Sequence, residues 1–124
     1  MEVLRDFKKV VAWRRAHELA LSLYRVTRSF PTEERYGLAS QIRRAAVSIP
    51  SNIAEGAGRR TPADYARFID IALGSTNEVE YQLLLAHQLG YIGGSEHAAR
   101  ARDVSEVRKM CIGLRSAILS GDVP

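Results

Sequence analysis

The stretch that decides the fold of this chain is RRAAVSIPSNIAEG, residues 43–56. Small and apolar residues recur in it at helical spacing, yet Pro50 lies in its interior. A proline inside a helix removes one backbone hydrogen bond and clashes with the preceding turn. Because the apolar pattern resumes in phase after Pro50, the sequence predicts a helix that bends near Val47 and then continues.

Four helical segments are predicted around this stretch, and no run alternates with period two for the length of a strand. They cover residues 12–29, 36–57, 62–89 and 96–119. The sharpest boundary is Thr61-Pro62-Ala63-Asp64, which has a capping residue, a proline at the first helical position and an acid in the first turn. Short turns between long helices predict an all-α fold, an antiparallel up-and-down four-helix bundle with a kinked second helix, as one domain over residues 1–124.

Two helices carry two neighbouring apolar stripes each. In the first helix, the predicted seam is Trp13, His17, Ala20, Tyr24 and Thr27, and the flanking stripe is Leu19, Leu23 and Val26. In the third helix, the predicted seam is Tyr65, Ile69, Ala72, Thr76, Val79, Leu83, Ala86 and Gly90, and the second stripe is Phe68, Ile71, Ser75, Gln82, Leu85 and Leu89. A helix with two apolar stripes packs against more than one neighbour, so we expect part of the third helix to face another subunit.

Composition is that of an ordinary globular protein, with 46% hydrophobic and 26% charged residues among 124. No apolar run approaches the roughly 20 residues that span a bilayer, and the first residues lack the apolar core of a signal peptide. The expected location is cytoplasmic, with no membrane partner. Cys111 is the only cysteine, which excludes an internal disulfide. Its place on an apolar stripe favours a small buried hydrophobe over a reactive thiol.

Positive charge is concentrated in the first half of the chain. Residues 1–62 hold 12 Lys and Arg against 6 Asp and Glu, whereas residues 63–124 hold 6 against 8. In an antiparallel bundle, the start of the first helix and the turn between the second and third lie at the same end. The candidate nucleic-acid-binding residues are therefore Lys8, Lys9, Arg14, Arg15, Arg59 and Arg60, with a solvated rim of intramolecular ion pairs as the alternative.

A second set of polar residues is interpreted as structural or as part of a subunit interface. Arg43 and Arg44 lie in mid-helix beside the apolar stripe, and we expect a pairing with Glu78 or with Glu80 on the third helix.

Asn52 and Glu55 flank the proline. Pro50 leaves the carbonyl of Ala46 without its helical donor, so nearby polar side chains are expected to satisfy backbone groups there.

No pattern for catalysis, a metal or a cofactor is present in the sequence. Glu55 has no histidine or second carboxylate at a sequence-evident working distance. The histidines do not form the Glu-x-x-His pairs that di-iron bundles use, and the Gly56-x-Gly58 pair lacks the rest of a dinucleotide-binding fingerprint. We therefore expect a protein that is not an enzyme and has no catalytic residues, metal or cofactor.

Residues 41–56, QIRRAAVSIPSNIAEG, together with Phe68, Gly74-Ser75 and Glu78, resemble the four-helix-bundle proteins encoded in ribosomal-RNA intervening sequences. Trp13 and Phe30-Pro31 fit the same pattern, so the resemblance covers nearly the whole chain. That family is similar to the accessory protein of diversity-generating retroelements. The resemblance implies a homopentamer whose basic surface contacts RNA or DNA and a reverse transcriptase.

The residues and the resemblance together predict a non-catalytic oligomeric bundle that binds RNA or DNA through a basic surface. The alternative is a protein-interaction scaffold or an accessory subunit of a partner enzyme. Fold sharing alone does not transfer function, so both remain open at the level of the sequence.

Overall fold

The computed structural model describes residues 5–122, which contain four long helices, two single-turn 3-10 helices and no strand. The long helices are α1 (Val11–Thr27), α2 (Leu38–Ala57), α3 (Pro62–Gln88) and α4 (Gly94–Ser120), and the 3-10 turns are Phe7–Lys9 and Thr32–Glu34. Consecutive helices pack on one another, and α4 returns against α1. The predicted all-α, antiparallel four-helix bundle is confirmed.

The helix ends show which capping signals decide a boundary. The Thr61 hydroxyl oxygen accepts from the Asp64 N–H at 3.1 Å, which confirms the predicted start of α3. α4 begins at Gly94, two residues earlier than predicted, with Gly93 in the N-cap position. α2 begins at Leu38, two residues later than predicted.

α2 continues through Pro50 without interruption, as predicted, and Pro50 is buried. The bend expected near Val47 stays a prediction. Asn52 serves the backbone in this turn, but its Nδ2 donates to the Ser48 carbonyl at 2.8 Å and not to that of Ala46. The Ser48 hydroxyl also lies 2.8 Å from the Ser75 hydroxyl of α3. The polar residues near the proline therefore tie α2 to α3.

The core uses the predicted α1 seam only in part, since Ala20 and Thr27 of that seam are buried. Ala12, Ala16, Leu19 and Leu23 face the bundle interior, whereas Trp13 is half-buried and His17 and Tyr24 are exposed. Both stripes have helical spacing, so periodicity alone does not choose between them. The structure turns the stripe that contains alanines inward, and the rings of the other stripe lie on the α1–α2 surface.

The predicted α3 seam is confirmed from Tyr65 to Ala86, whose seam residues are buried, but its last residue, Gly90, is exposed and lies beyond the end of the helix. The second stripe is divided: Ser75 and Gln82 are buried, while Ile71 is 43% exposed and Leu89 is 50% exposed. Within residues 5–122, no helix is long and apolar enough to cross a membrane.

α2 packs tightly against α3 at Gly56. A Cβ atom on Gly56 would lie 2.8 Å from Cδ1 of Tyr65 and 3.0 Å from Cβ of Phe68. These distances are shorter than van der Waals contact, so only glycine lets the two backbones approach this closely. The family-like motif thus ends in a residue with a packing role.

We predict that Gly56→Ala lowers the free energy of unfolding by about 1–3 kcal/mol, because the added methyl group forces α2 and α3 apart. Gly74→Ala is the matched control, since a Cβ there meets nothing within 4 Å. That substitution should stabilise the protein by about 0.5–1 kcal/mol, because glycine weakens a helix interior. Urea unfolding measures the free energy of unfolding of both variants. Equal values for Gly56→Ala and Gly74→Ala would contradict a packing role for Gly56.

At the opposite end of the bundle, Glu34 joins the start of α2 to the turn between α3 and α4. Its Oε1 accepts from the Leu38 N–H at 3.0 Å, and its Oε2 accepts from the Tyr91 hydroxyl at 2.7 Å. One carboxylate therefore satisfies the start of α2 and links it to the α3–α4 turn. The Leu38 N–H and the Tyr91 hydroxyl lower the pKa of Glu34 from its ordinary value of 4.5.

The Glu34 link should depend on pH. A lowered pKa in the folded state stabilises the fold above the ordinary pKa, and this contribution is lost as the pH falls. The melting temperature of Glu34→Gln should therefore lie below that of the wild type at neutral pH. The difference between the two melting temperatures should decrease as the pH falls below 4.5, because Glu34 then becomes protonated in the wild type. Glu33→Gln, one residue earlier, is the control, and a gap independent of pH would show that the carboxylate charge is not responsible.

Candidate nucleic-acid interface

One arginine joins the two sequence segments that carry the basic doublets. Nη1 of Arg5 donates to the carbonyls of Ala57 at 3.1 Å and Arg59 at 2.8 Å, and its guanidinium carbon lies 5.2 Å from the Tyr65 ring centroid. These carbonyls close α2, where the helix dipole is negative and a cation is favourable. The N-terminal lead and the α2–α3 turn are therefore held at one end of the bundle. Sequence analysis missed Arg5, because no spacing rule links residues this far apart.

We call this region the basic end and define it by the candidate residues Lys8, Lys9, Arg14, Arg15, Arg59 and Arg60. Lys8, Lys9, Arg14 and Arg60 are exposed. Lys8 and Lys9 lie in the 3-10 turn that follows Arg5, and Arg14 lies in the first turns of α1. Arg60 is in the turn before α3. The exposed members provide positive charge that a polyanion can reach.

Arg15 and Arg59 are held by intramolecular partners. Arg15 lies 2.8 Å from the carboxylates of Glu18 and of Glu106 on α4, and these bonds raise its pKa. Its charge therefore helps to join α1 to α4. Sequence analysis could not assign this role, since Glu106 lies 91 residues further along the chain.

Arg59 lies 3.4 Å from Glu55 and 3.7 Å from Asp64, and its guanidinium carbon is 4.6 Å from the centroid of Phe68. Glu55, predicted to be structural, is therefore the i–4 partner of Arg59. In the basic end, carboxylates therefore partly compensate the charges of Arg15 and Arg59.

Arg43 contacts α1 and not α3. Its Nε donates to the Thr27 hydroxyl at 2.8 Å, Nη2 lies 3.4 Å from the Tyr24 carbonyl, and the guanidinium carbon is 4.8 Å from the Tyr24 ring centroid. The expected pairing of Arg43 with Glu78 or Glu80 is thus wrong. An arginine at this place satisfies groups at the C-terminal end of α1, where a cation is favoured by the helix dipole.

The other members of this predicted set lie on the α2–α3 and α3–α4 surfaces. Arg44 and Glu78 line the same shallow pocket, together with Gln41, Ala45 and Ser48. Glu80 instead accepts from Arg108 of α4 at 2.9 Å. The two predicted acidic partners therefore lie on different sides of α3. A helix turns by about 100° per residue, so side chains two positions apart point in nearly opposite directions.

A second surface feature lies between α1 and α2, and we call it the aromatic groove. It has a volume of about 430 Å³. Its lining residues are Phe7, Trp13, His17, Ala20, Leu21, Tyr24, Val47, Pro50, Ser51 and Ala54. Most of these are apolar, and none of these described residues carries a carboxylate.

Three rings of the aromatic groove are in contact. Phe7 meets Trp13 edge to face, with centroids 4.9 Å apart, and His17 stacks on Trp13 at 5.0 Å with an interplanar angle of 7°. The sequence signal for the groove is the stripe from Trp13 to Tyr24, whose spacing predicts a packing seam.

The described part of the chain contains no metal-binding cluster, and its cysteine is buried. Between residues 5 and 122, no three or more His, Cys, Asp and Glu side chains are placed to hold a metal ion. Cys111 is buried, as predicted, and burial raises its thiol pKa to about 11. Thiolate is therefore scarce at neutral pH, which makes a nucleophilic role unfavourable.

The fold and the basic end define a class of protein: a small helical bundle with exposed positive charge at one end. Residues 8–113 match the model of the 23S rRNA-intervening sequence protein family, and the chain belongs to that family. It is similar to a solved structure, a protein with unknown function from the S23 ribosomal protein family from Bacteroides thetaiotaomicron. The two share 27% identity and a TM-score of 0.79 over 86% of this chain and 96% of that one. No curated protein matches the sequence.

The contacts of Arg43 predict different effects for two adjacent arginines. Arg43→Ala removes the bond to Thr27 and the contact with the Tyr24 ring, so we expect a loss of about 1–2 kcal/mol of unfolding free energy. Arg44→Ala, in the neighbouring exposed position, should change stability by less than about 0.5 kcal/mol. Thermal unfolding of the two variants checks this. If neither variant affects stability, the structural role of Arg43 is wrong.

Proposed function

We propose that this protein is a non-catalytic, self-associating bundle that binds RNA or DNA through the basic end. The observation that supports this most directly is the double hydrogen bond from Arg5 to the α2–α3 turn, because it holds two cationic chain segments together. Exposed lysines and arginines suit phosphate oxygens, which carry no sequence information. We therefore expect little preference for base sequence.

Electrostatics sets the affinity in this proposal. The logarithm of the binding constant falls linearly with the logarithm of the salt concentration. Each phosphate that the protein neutralises adds about −0.9 to this slope on duplex DNA and about −0.7 on single strands. A single basic end offers few phosphate contacts, so a monomer should bind weakly. Repetition of the basic end in an assembly would raise the overall affinity, because the second contact becomes intramolecular.

Self-association is proposed on the outer surface of α3. Ile71, Tyr81 and Leu84 are 43%, 62% and 41% exposed on this helix. Exposed apolar side chains of this size on one helix are typical of a surface that a partner covers. A homopentamer is the assembly that the family resemblance suggests, and it would carry five basic ends.

Light scattering after size exclusion tests the assembly. The expected mass is five times the chain mass of 13.8 kDa, unchanged by nuclease treatment. Tyr81→Asp should reduce the mass, because a charge in an apolar interface is costly. A single-chain mass in dilute, nuclease-treated material would contradict self-association. It would also favour the competing function, in which α3 contacts a partner protein such as a reverse transcriptase.

The basic end itself is tested by charge reversal. The double variant Lys9→Glu and Arg14→Glu should weaken binding to unrelated oligonucleotides by at least about tenfold at low salt. The slope of the logarithm of the binding constant against the logarithm of the salt concentration should become less negative by roughly 1–2. The matched control is Arg102→Glu with Lys109→Glu, which makes the same charge change at exposed positions of α4. Fluorescence anisotropy in a salt series measures both.

Equal losses of affinity in the two double variants would show that only net charge matters, and the basic end would then not be the site. Unchanged binding in the Lys9→Glu and Arg14→Glu variant would also remove it. Arg59 is left out of this test, because its contacts with Glu55, Asp64 and Phe68 also give it a structural role.

A further inference from the structure

The aromatic groove offers ring faces at the surface of the bundle. His17 lies nearly parallel to the Trp13 indole, with an interplanar angle of 7°, and is itself exposed. A planar ring is therefore already stacked on the indole, and this imidazole is itself accessible to solvent. Phe7 holds the indole from the side at a centroid distance of 4.9 Å, so the stack is formed before any ligand arrives.

Positive charge lies at both ends of the aromatic groove. At one end, Nζ of Lys8 lies 6.0 Å from the centroid of Phe7. At the other, the guanidinium carbon of Arg43 lies 4.8 Å from the centroid of Tyr24. The described lining residues between these cations include no carboxylate. The groove thus combines apolar ring faces with a charge distribution that is complementary to a polyanion.

The dimensions of the aromatic groove fit a short run of bases. From Trp13 to Tyr24, α1 advances by roughly 16 Å at about 1.5 Å per residue. Stacked bases are separated by about 3.4 Å along a strand, so about four would fit along this length. A volume of about 430 Å³ also lies in the range of small-molecule sites.

We propose that the aromatic groove binds unpaired bases of single-stranded RNA or DNA by stacking them on the His17 imidazole, which itself lies on the Trp13 indole. The proposal rests on the proposed function, since the basic end would hold the phosphates of the same strand. Single-strand binding proteins combine a cationic surface with aromatic side chains in this way, and base stacking tolerates any sequence. Duplexes have their bases already stacked and should contact the basic end alone.

Trp13 allows the groove to be observed directly, because it is the only tryptophan in the chain. We would titrate the protein with a 12-nucleotide oligo(dT), with an abasic strand of the same length, and with a 12-base-pair duplex. The oligo(dT) should quench the Trp13 fluorescence and bind at least about fivefold more tightly than the abasic strand, since stacking contributes for each base. The abasic strand and the duplex should bind without quenching.

The variant that tests the stack is His17→Ala. It should weaken the binding of oligo(dT) by about fivefold or more and leave the binding of the abasic strand unchanged. Tyr36→Ala, which removes a ring that is 89% exposed and lies outside the groove, is the control for loss of aromatic area and should not alter this ratio. Circular dichroism of both variants confirms that the bundle is intact.

Other outcomes overturn the proposal in distinguishable ways. If oligo(dT) and the abasic strand bind equally and without quenching, the groove does not stack bases, while the phosphate-binding function stands. If no strand binds, the proposed function itself fails. If His17→Ala lowers the mass in light scattering, a second copy of the chain occupies the groove.

Discussion

The close contact between α2 and α3 at Gly56 is the constraint on which the rest of the structure depends. Without a Cβ at this position, the Tyr65 ring and the first atoms of Phe68 lie directly against the α2 backbone. The contact fixes where α2 ends and where the turn to α3 begins. That turn exposes the carbonyls that Arg5 binds and presents Arg59 and Arg60 at the same end. A packing requirement thus determines where the positive charge is presented.

Arginine has two different roles in this protein. Arg5 and Arg43 bind carbonyls at the ends of helices, where the dipole favours a cation. Arg108 joins α4 to α3 through Glu80, as Arg15 joins α1 to α4 through Glu106. These contacts use the planar, multiple-donor geometry of guanidinium, which lysine does not offer. Many of the arginines therefore have a structural role. The positive charge that is accessible at the surface of the basic end belongs to its lysines and exposed arginines.

Sequence reasoning was successful where the signal is local. The Thr61 cap, the α3 seam and the continuation of α2 through Pro50 all depend on residues within a few positions of one another. It was wrong where two local patterns were equally good. The stripe from Trp13 to Tyr24 has the spacing of a seam, but the adjacent stripe of alanines and leucines faces the core. The choice depends on how closely the neighbouring helices approach, which periodicity does not contain.

By itself, the sequence determined the number of helices, their order, most of their boundaries and the presence of excess positive charge in the first half. The tertiary structure alone decided which cations are compensated, which face of α1 is exposed and that Arg5 joins the two basic segments. Helix formation and capping depend on residues a few positions apart, so they can be predicted from spacing. Ion pairs between α1 and α4, and a groove between α1 and α2, depend on distances that exist only after the helices have packed.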